Sequence, residues 1–340
     1  MRVRLTTSLL ALVSAAMALA IALASPAVAA PWWASPLDSW QAAEGFVVAN
    51  PFASEPATPE ATTTVFAVIG DYGTHGKAEA AVAGQVQSWH PSFIVTTGDD
   101  YYTVAGGRGS ARYYRSTGYL YGRWMAGVPR TPTGRVVGYA TVNAFFPTLG
   151  NHDYGDAKPA PRTYLSYFTL PGAGFASSSG NERYYDFVDG PVHFFVLNSN
   201  PGEPNGLRAD QAQAAWLQQS MDASAATWNI VVDHHPPFAS DNKHGSSAYM
   251  QWPFAAWGAD AVLSGHAHVY ERVMHDGIPY FVNGLGGGPR YGFKKTPVAG
   301  SAARYSANWG AQKVTATTST ITFEFYNVKG RLEDRFTLSR

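Results

Sequence analysis

The run Thr64–Ile69 (TVFAVI) passes directly into Gly70-Asp71-Tyr72-Gly73, and the run Phe93–Thr97 (FIVTT) into Gly98-Asp99-Asp100-Tyr101-Tyr102. Both runs are continuous, apolar and rich in β-branched residues, the pattern of strands covered on both faces. Between them Lys77–Trp89 places Ala and Val at helical spacing, so the unit reads strand, helix, strand, with a parallel pair and a right-handed crossover. In such a unit both Gly-Asp pairs fall at strand C-termini, the edge where open α/β sheets gather their ligand sites.

Working outward, Ala144–Leu149 predicts a strand. Glu182–Val188 and Pro191–Asn198 predict a hairpin that turns at Asp189-Gly190. Asp210–Met221 has a helical pattern, Asn229–Asp233 reads as a strand, Ser247–Trp257 as a helix, and Ala261–Leu263 and Ile278–Val282 as strands. Three further β-like runs, Val314–Thr317, Ile321–Tyr326 and Arg335–Leu338, close the chain. Strand–helix alternation followed by a β-rich end predicts an α/β sandwich of mixed sheets flanked by helices.

The chain has 340 residues, with 24 basic and 24 acidic side chains, ten histidines and no cysteine. At 46% hydrophobic it has ample material for a core, which excludes wholesale disorder. Zero formal charge argues against a protein that coats nucleic acid. Without cysteine there is no disulfide, zinc–thiolate site, iron–sulfur cluster or thiol nucleophile, so any metal must be held by imidazole, carboxylate, amide or phenolate.

Residues 1–29 read as a signal peptide: Arg2 and Arg4, an apolar run from Leu9 to Ala24, and the small-residue site Ala27-Val28-Ala29. The expectation is cleavage after Ala29, a secreted protein and no stable membrane anchor. Residues 30–62 are expected to form an Ala/Pro-rich leader, and 63–340 a single folded domain. Residues 103–162 are the least regular stretch and carry Arg108, Arg112, Arg115, Arg123, Arg130, Arg135, Lys158 and Arg162, which read as a solvated excursion or a positive rim.

Five polar clusters follow five predicted strands: Asp71, Asp99 with Asp100, Gly150-Asn151-His152-Asp153, Asp233-His234-His235-Pro236, and Gly265-His266-Ala267-His268. A lone Gly-Asp is an ordinary turn or cap. Five in order, with two imidazoles flanking a single residue in the last, point to one composite site. Oxygen donors and imidazoles without sulfur suit Fe, Zn or Mn. Two such ions ~3.5 Å apart can clamp a phosphoryl group and acidify water.

The series Asp-x-Gly, Gly-Asp-x-x-Tyr, Gly-Asn-His-Asp, Val-x-x-His and Gly-His-x-His resembles the purple acid phosphatases of the calcineurin-like metallophosphoesterase superfamily. The run from Gly265 to Arg272 is especially close to the plant-type members. The resemblance implies that Asp71, Asp99, Tyr102 and His268 bind one metal, ferric iron in that family. It implies that Asp99, Asn151, His234 and His266 bind a second, which is Fe, Zn or Mn there, with Asp99 as the bridge. Other superfamily members have a His where this chain has Gly73, and the Tyr102 phenolate would take up that place. The family's spacing selects Tyr102 over Tyr101 and His234 over His235. Tyr101 is then left to pack against the loop, and His235 to contact substrate or orient neighbours.

His152 and His244 resemble the family's substrate-facing histidines and are the candidate proton donors, with Asn151, His152, His235 and His244 the candidate phosphate contacts. Asp100 and Asp153 are expected to orient neighbours, and His75, His90, His193 and His275 to be structural. Gly286-Gly287-Gly288-Pro289 reads as a turn beneath the site rather than a phosphate cradle. The layout resembles the small mammalian-type enzymes, since residues 30–62 cannot supply the N-terminal β-sandwich of plant-type members. The activity implied is hydrolysis of small phosphomonoesters by a metal-activated hydroxide. The alternatives are a phosphodiesterase on the same fold or a secreted binding protein that has kept it.

Overall fold

The computed structural model describes residues 63–102, 115–126, 138, 140–154 and 161–340. The expected signal peptide, the leader, and Arg108, Arg112, Arg130, Arg135 and Lys158 of the basic excursion lie outside the described residues. The strands, in chain order, begin with β1 (Thr64–Ile69), β2 (Phe93–Thr96), β3 (Phe145–Phe146), β4 (Tyr185–Asp189) and β5 (Val192–Val196). They continue with β6 (Trp228–Val232), β7 (Ala261–Ser264), β8 (Tyr270–His275) and β9 (Ile278–Asn283). The last four are β10 (Ser301–Tyr305), β11 (Gly310–Ala316), β12 (Thr320–Asn327) and β13 (Leu332–Ser339).

They form two mixed sheets, as the sequence predicts. One has the order β13-β12-β11-β1-β2-β3 and the other β10-β8-β9-β7-β6-β5-β4. β1, β2 and β3 run parallel, with Phe66 opposite Phe93 and Ile94 opposite Phe145. In the second sheet β5, β6, β7 and β9 run parallel. Every strand that carries a predicted polar cluster therefore belongs to a parallel set, and the clusters emerge where the parallel strands end.

The sheets are joined by rings. Phe66, Phe93 and Phe146 of the first meet Phe187 and Phe194 of the second, with Phe146 stacked on Phe187 at 3.6 Å and Phe93 edge-on to Phe194 at 5.5 Å. Each such burial contributes about 1.5–3 kcal/mol. Strand alternation divides β5 between two cores: Phe194 faces this ring cluster, while Phe195 joins a second cluster with Leu217, Trp252 and Phe254. The helix α1 (Lys77–Ser88) buries Val82, Ala83 and Val86, at the i, i+1, i+4 spacing that its sequence presents.

Three expectations change. Ser247–Trp257 is not an α-helix: only Ala248–Met250 forms a 3-10 turn. Pro253 donates no N–H and would clash with the carbonyl of Tyr249, so a helix cannot pass it. The segment instead folds as tight turns whose Met250, Trp252 and Phe254 are buried. The strand expected over Ala144–Leu149 pairs only at Phe145–Phe146, and Pro147 limits further pairing. β8 and β10 were not foreseen: Tyr270–His275 mixes Glu, Arg and His into its pattern, and only its antiparallel partners β9 and β10 make it a strand.

Candidate metal centre

The loops after β1, β2, β3, β6 and β7 converge. Ligand atoms of Asp71, Asp99 and His234 lie within 4.8 Å of one another, as do those of His234, His235 and His266. Three of these residues reach the site through left-handed backbone: Asp71 (φ 56°), Asp99 (φ 53°) and His266 (φ 65°). Such conformations cost a non-glycine residue of order 1–3 kcal/mol and cluster at functional sites. Gly98, at φ 91°, lets the chain turn where a Cβ would stand 2.6 Å from His234 Nδ1.

Hydrogen bonds fix the polarity of the donors. His234 Nδ1 lies 2.8 Å from the Thr97 carbonyl and His268 Nδ1 2.5 Å from the Pro289 carbonyl. A carbonyl only accepts, so in both rings Nδ1 carries a hydrogen, and Nε2 is the nitrogen left to offer a lone pair when the ring is neutral. His234 Nε2 then faces Asn151 Oδ1 at 3.1 Å and Asp99 Oδ1 at 3.4 Å. His268 Nε2 faces Asp71 Oδ1 at 3.2 Å and the Tyr102 hydroxyl at 2.9 Å, and that hydroxyl itself lies 3.1 Å from Asp71 Oδ1. With both rings neutral, the first group has lone pairs and no hydrogen between them, and the second has a single phenolic hydrogen for two acceptors, His268 Nε2 and Asp71 Oδ1. A cation in each group would satisfy lone pairs that hydrogens cannot, so the residues present fit two metal ions.

Burial would lower His268, but the Asp71 charge and hydrogen bond and the Pro289 carbonyl outweigh it and raise the ring above the ordinary imidazole range, so a metal ion at its Nε2 would take the place of a proton. Against the cost of burial, the nearby His268 and His234 imidazoles and the Tyr102 hydroxyl hold Asp71 below the usual carboxylate range. Burial and the Asp71 and Asp99 charges push the Tyr102 phenol well up, so only a strongly Lewis-acidic partner would draw off its proton. Burial and the neighbouring imidazoles keep His235 and His266 low, hence neutral and available as ligands or donors.

The predicted substrate-facing histidines surround this centre. The His152 N–H donates to Asp99 Oδ1 at 2.8 Å and its ring lies 4.4 Å from that of Tyr102. The His244 ring lies 4.1 Å from His266, and the His235 ring 4.4 Å from His266. Asp153 Oδ2 accepts the N–H groups of Gly150 (2.8 Å) and Asp100 (3.2 Å), tying the β2 and β3 loops together, while Asp100 accepts from Tyr72 and Thr96. Burial raises the Asp100 carboxyl to about 8. The glycine run packs under the site: the Gly286 and Gly288 N–H groups donate to the carbonyls of Gly70 and Asp71. Tyr101 is buried in the core, and His193 pairs with Asp186 far along the chain from the motifs.

Sequence reasoning missed a second tier of residues. Ser199 Oγ, after β5, accepts the N–H groups of His234 and His235 and bonds His235 Nδ1 at 2.9 Å. Asn200 Nδ2 holds the Leu149 carbonyl, and Asn283 Nδ2, at the end of β9, holds the Val68 carbonyl of the opposite sheet. Tyr291 stacks on His268 at 4.3 Å. Asn198-Ser199-Asn200 was a visible signal, another polar cluster at a strand end. Tyr291 had none.

Fold and site together define a metallophosphoesterase architecture, and the chain belongs to the calcineurin-like phosphoesterase family, whose profile matches residues 64–270. Within it the resemblance to purple acid phosphatases holds. Purple acid phosphatase 23 of Arabidopsis thaliana is 25% identical over 238 residues, which cover 61% of this chain and 47% of that protein. Purple acid phosphatase 17 of the same plant is 23% identical over 259 residues, 68% of this chain and 70% of that protein. A purple acid phosphatase from yellow lupin seeds superposes with a TM-score of 0.64 at 17% identity, covering 84% of this chain and 55% of that one. The chain spans about half the length of the first curated relatives it matches.

Proposed function

We propose that this protein is a secreted, two-metal phosphomonoesterase of the purple acid phosphatase type. The observation that carries the reading is the meeting of Asp71, Asp99 and His234 within 4.8 Å, beside imidazoles whose Nε2 lone pairs face other acceptors. Asp71, Asp99, Tyr102 and His268 would hold one ion, ferric iron, and Asp99, Asn151, His234 and His266 the other, Fe, Zn or Mn, with Asp99 between them. When bound, the ions offset charge on the phosphoryl oxygens and acidify water.

The chain's own groups do the rest. The carbonyls of Thr97 and Pro289 hold His234 and His268 in one tautomer and orientation. His235, kept neutral by burial, donates to a phosphoryl oxygen, and His152 or His244 supplies the proton for the leaving oxygen. The signal-like start from Arg2 to Ala29 supports export, and among the described residues no helix is long and apolar enough to cross a membrane.

The test is hydrolysis of 4-nitrophenyl phosphate and bis(4-nitrophenyl) phosphate by the purified protein, with metal analysis and a visible spectrum. Monoester turnover that chelation removes and iron restores, with a phenolate-to-iron band that Tyr102→Phe abolishes, is the expected result. Metal-loaded protein that hydrolyses neither ester overturns the proposal, and a preference for the diester reassigns it to phosphodiesters.

A further inference from the structure

The turn at residues 240–245 exposes the side chains of Asn242, Lys243 and His244 and is firmly built in its backbone. Asp241 is fully buried, and its carboxylate accepts the N–H groups of Lys243 (2.8 Å), His244 (2.7 Å) and Gly245 (2.7 Å). Behind it the Ser240 N–H and hydroxyl both donate to the buried Glu271 carboxylate at 2.6 Å. The Asn242 N–H donates to the Gly292 carbonyl and the Lys294 N–H to the Ser240 carbonyl, which fastens the turn to the segment after the glycine run.

This scaffold presents two side chains at the mouth of the metal centre. The His244 ring lies 4.1 Å from His266. The Lys243 ammonium lies 4.8 Å from the centre of the Tyr291 ring, which stacks on His268 at 4.3 Å with 4° between planes. The two steps place the ammonium within about 9 Å of the His268 ring. Lys243 forms no ion pair among the described residues, and the acid in its own turn, Asp241, is occupied by three N–H groups. Resting on an aromatic face also limits the stem's rotamers, so less freedom is lost when an anion arrives.

We propose that Lys243 is a specificity-determining residue that receives a second anionic group of the substrate. The preferred substrates are then monoesters bearing another phosphate or carboxylate, one sugar-sized skeleton away from the phosphorus under attack. The inference rests on the phosphatase reading above and narrows its substrate class. An ammonium this exposed contributes modestly, on the scale of a two- to fivefold preference, and the contribution must fade with salt.

The matched probes are fructose 1,6-bisphosphate and fructose 6-phosphate, with phosphate release measured at low ionic strength. The quantity read is the ratio of kcat/KM for the bisphosphate to that for the monophosphate. Lys243→Gln is expected to lower this ratio about twofold to fivefold. Lys243→Glu should lower it further and Lys243→Arg preserve it, while ~0.5 M salt brings the parent protein toward the Gln value. A ratio unchanged in both the Gln and Glu variants overturns the inference and leaves the phosphatase reading standing. A parent protein that hydrolyses neither sugar phosphate, nor 4-nitrophenyl phosphate, overturns the reading itself.

Discussion

Gly150→Ala tests whether the motif glycines matter for closeness rather than flexibility. A Cβ at position 150 would stand 2.2 Å from Asp99 N, 2.2 Å from Asp99 Oδ1 and 2.8 Å from Asp99 Cα. Comfortable contact begins at roughly 3.5 Å, so the two loops must part by about 1 Å. Neither can yield cheaply, because Asp153 Oδ2 binds the N–H of Gly150 at 2.8 Å and that of Asp100 at 3.2 Å. Asn151 and His152 follow directly in the chain and would be carried away from Asp99. A displacement of about 1 Å at reacting groups costs on the order of 10²-fold in rate. Overpacking typically costs about 1–3 kcal/mol of stability. The assays are kcat/KM on 4-nitrophenyl phosphate, metal content per chain and a thermal melt. A folded variant with unchanged metal content and kcat/KM within about fivefold of the parent would refute the steric argument.

Gly84→Ala is the converse case. Position 84 is an exposed helical site in α1 where an added Cβ meets nothing within 4 Å. It should stabilise the fold by about 0.5–1 kcal/mol with activity unchanged, and a lower Tm would count against it. Asp186 addresses pH. Burial alone would raise its carboxyl, but hydrogen bonds from His193, the Ser178 N–H and the Ser177 and Ser178 hydroxyls outweigh that and lower it from 3.8. A lowered folded value stabilises the protein above the unfolded value, and the gain is lost as pH falls through the folded one. Asp186→Asn should therefore lower Tm at neutral pH, with the gap closing as the pH drops below 3.8. A gap that stays constant into acid would contradict the assignment.

The fold was legible where local pattern and burial agree. The runs Thr64–Ile69 and Phe93–Thr96 are apolar at every position but one terminal threonine each because both faces are covered, so their strands showed without knowledge of neighbours. β8 was not legible, because Glu271 and Arg272 sit in a strand only through partners distant in sequence: Glu271 accepts from Ser240 and Ser301, and Arg272 pairs with Asp334. Ser247–Trp257 misled because its apolar spacing fits a helix while Pro253 forbids one.

For the site, the types and order of the residues were written in the chain: carboxylates, an amide and imidazoles stand at strand ends, and strand ends of parallel sets share an edge. What tertiary structure alone decided is which nitrogen each histidine offers and what surrounds it. The Thr97 carbonyl that turns His234 lies 137 positions away from it, and the Val68 carbonyl that Asn283 holds lies 215 away. Hydrogen-bond direction depends on such distant partners, and no local spacing encodes them. The same holds for Lys243, an unremarkable surface lysine in sequence, which acquires a place beside the metal centre only because Asp241 and Tyr291 fold around it.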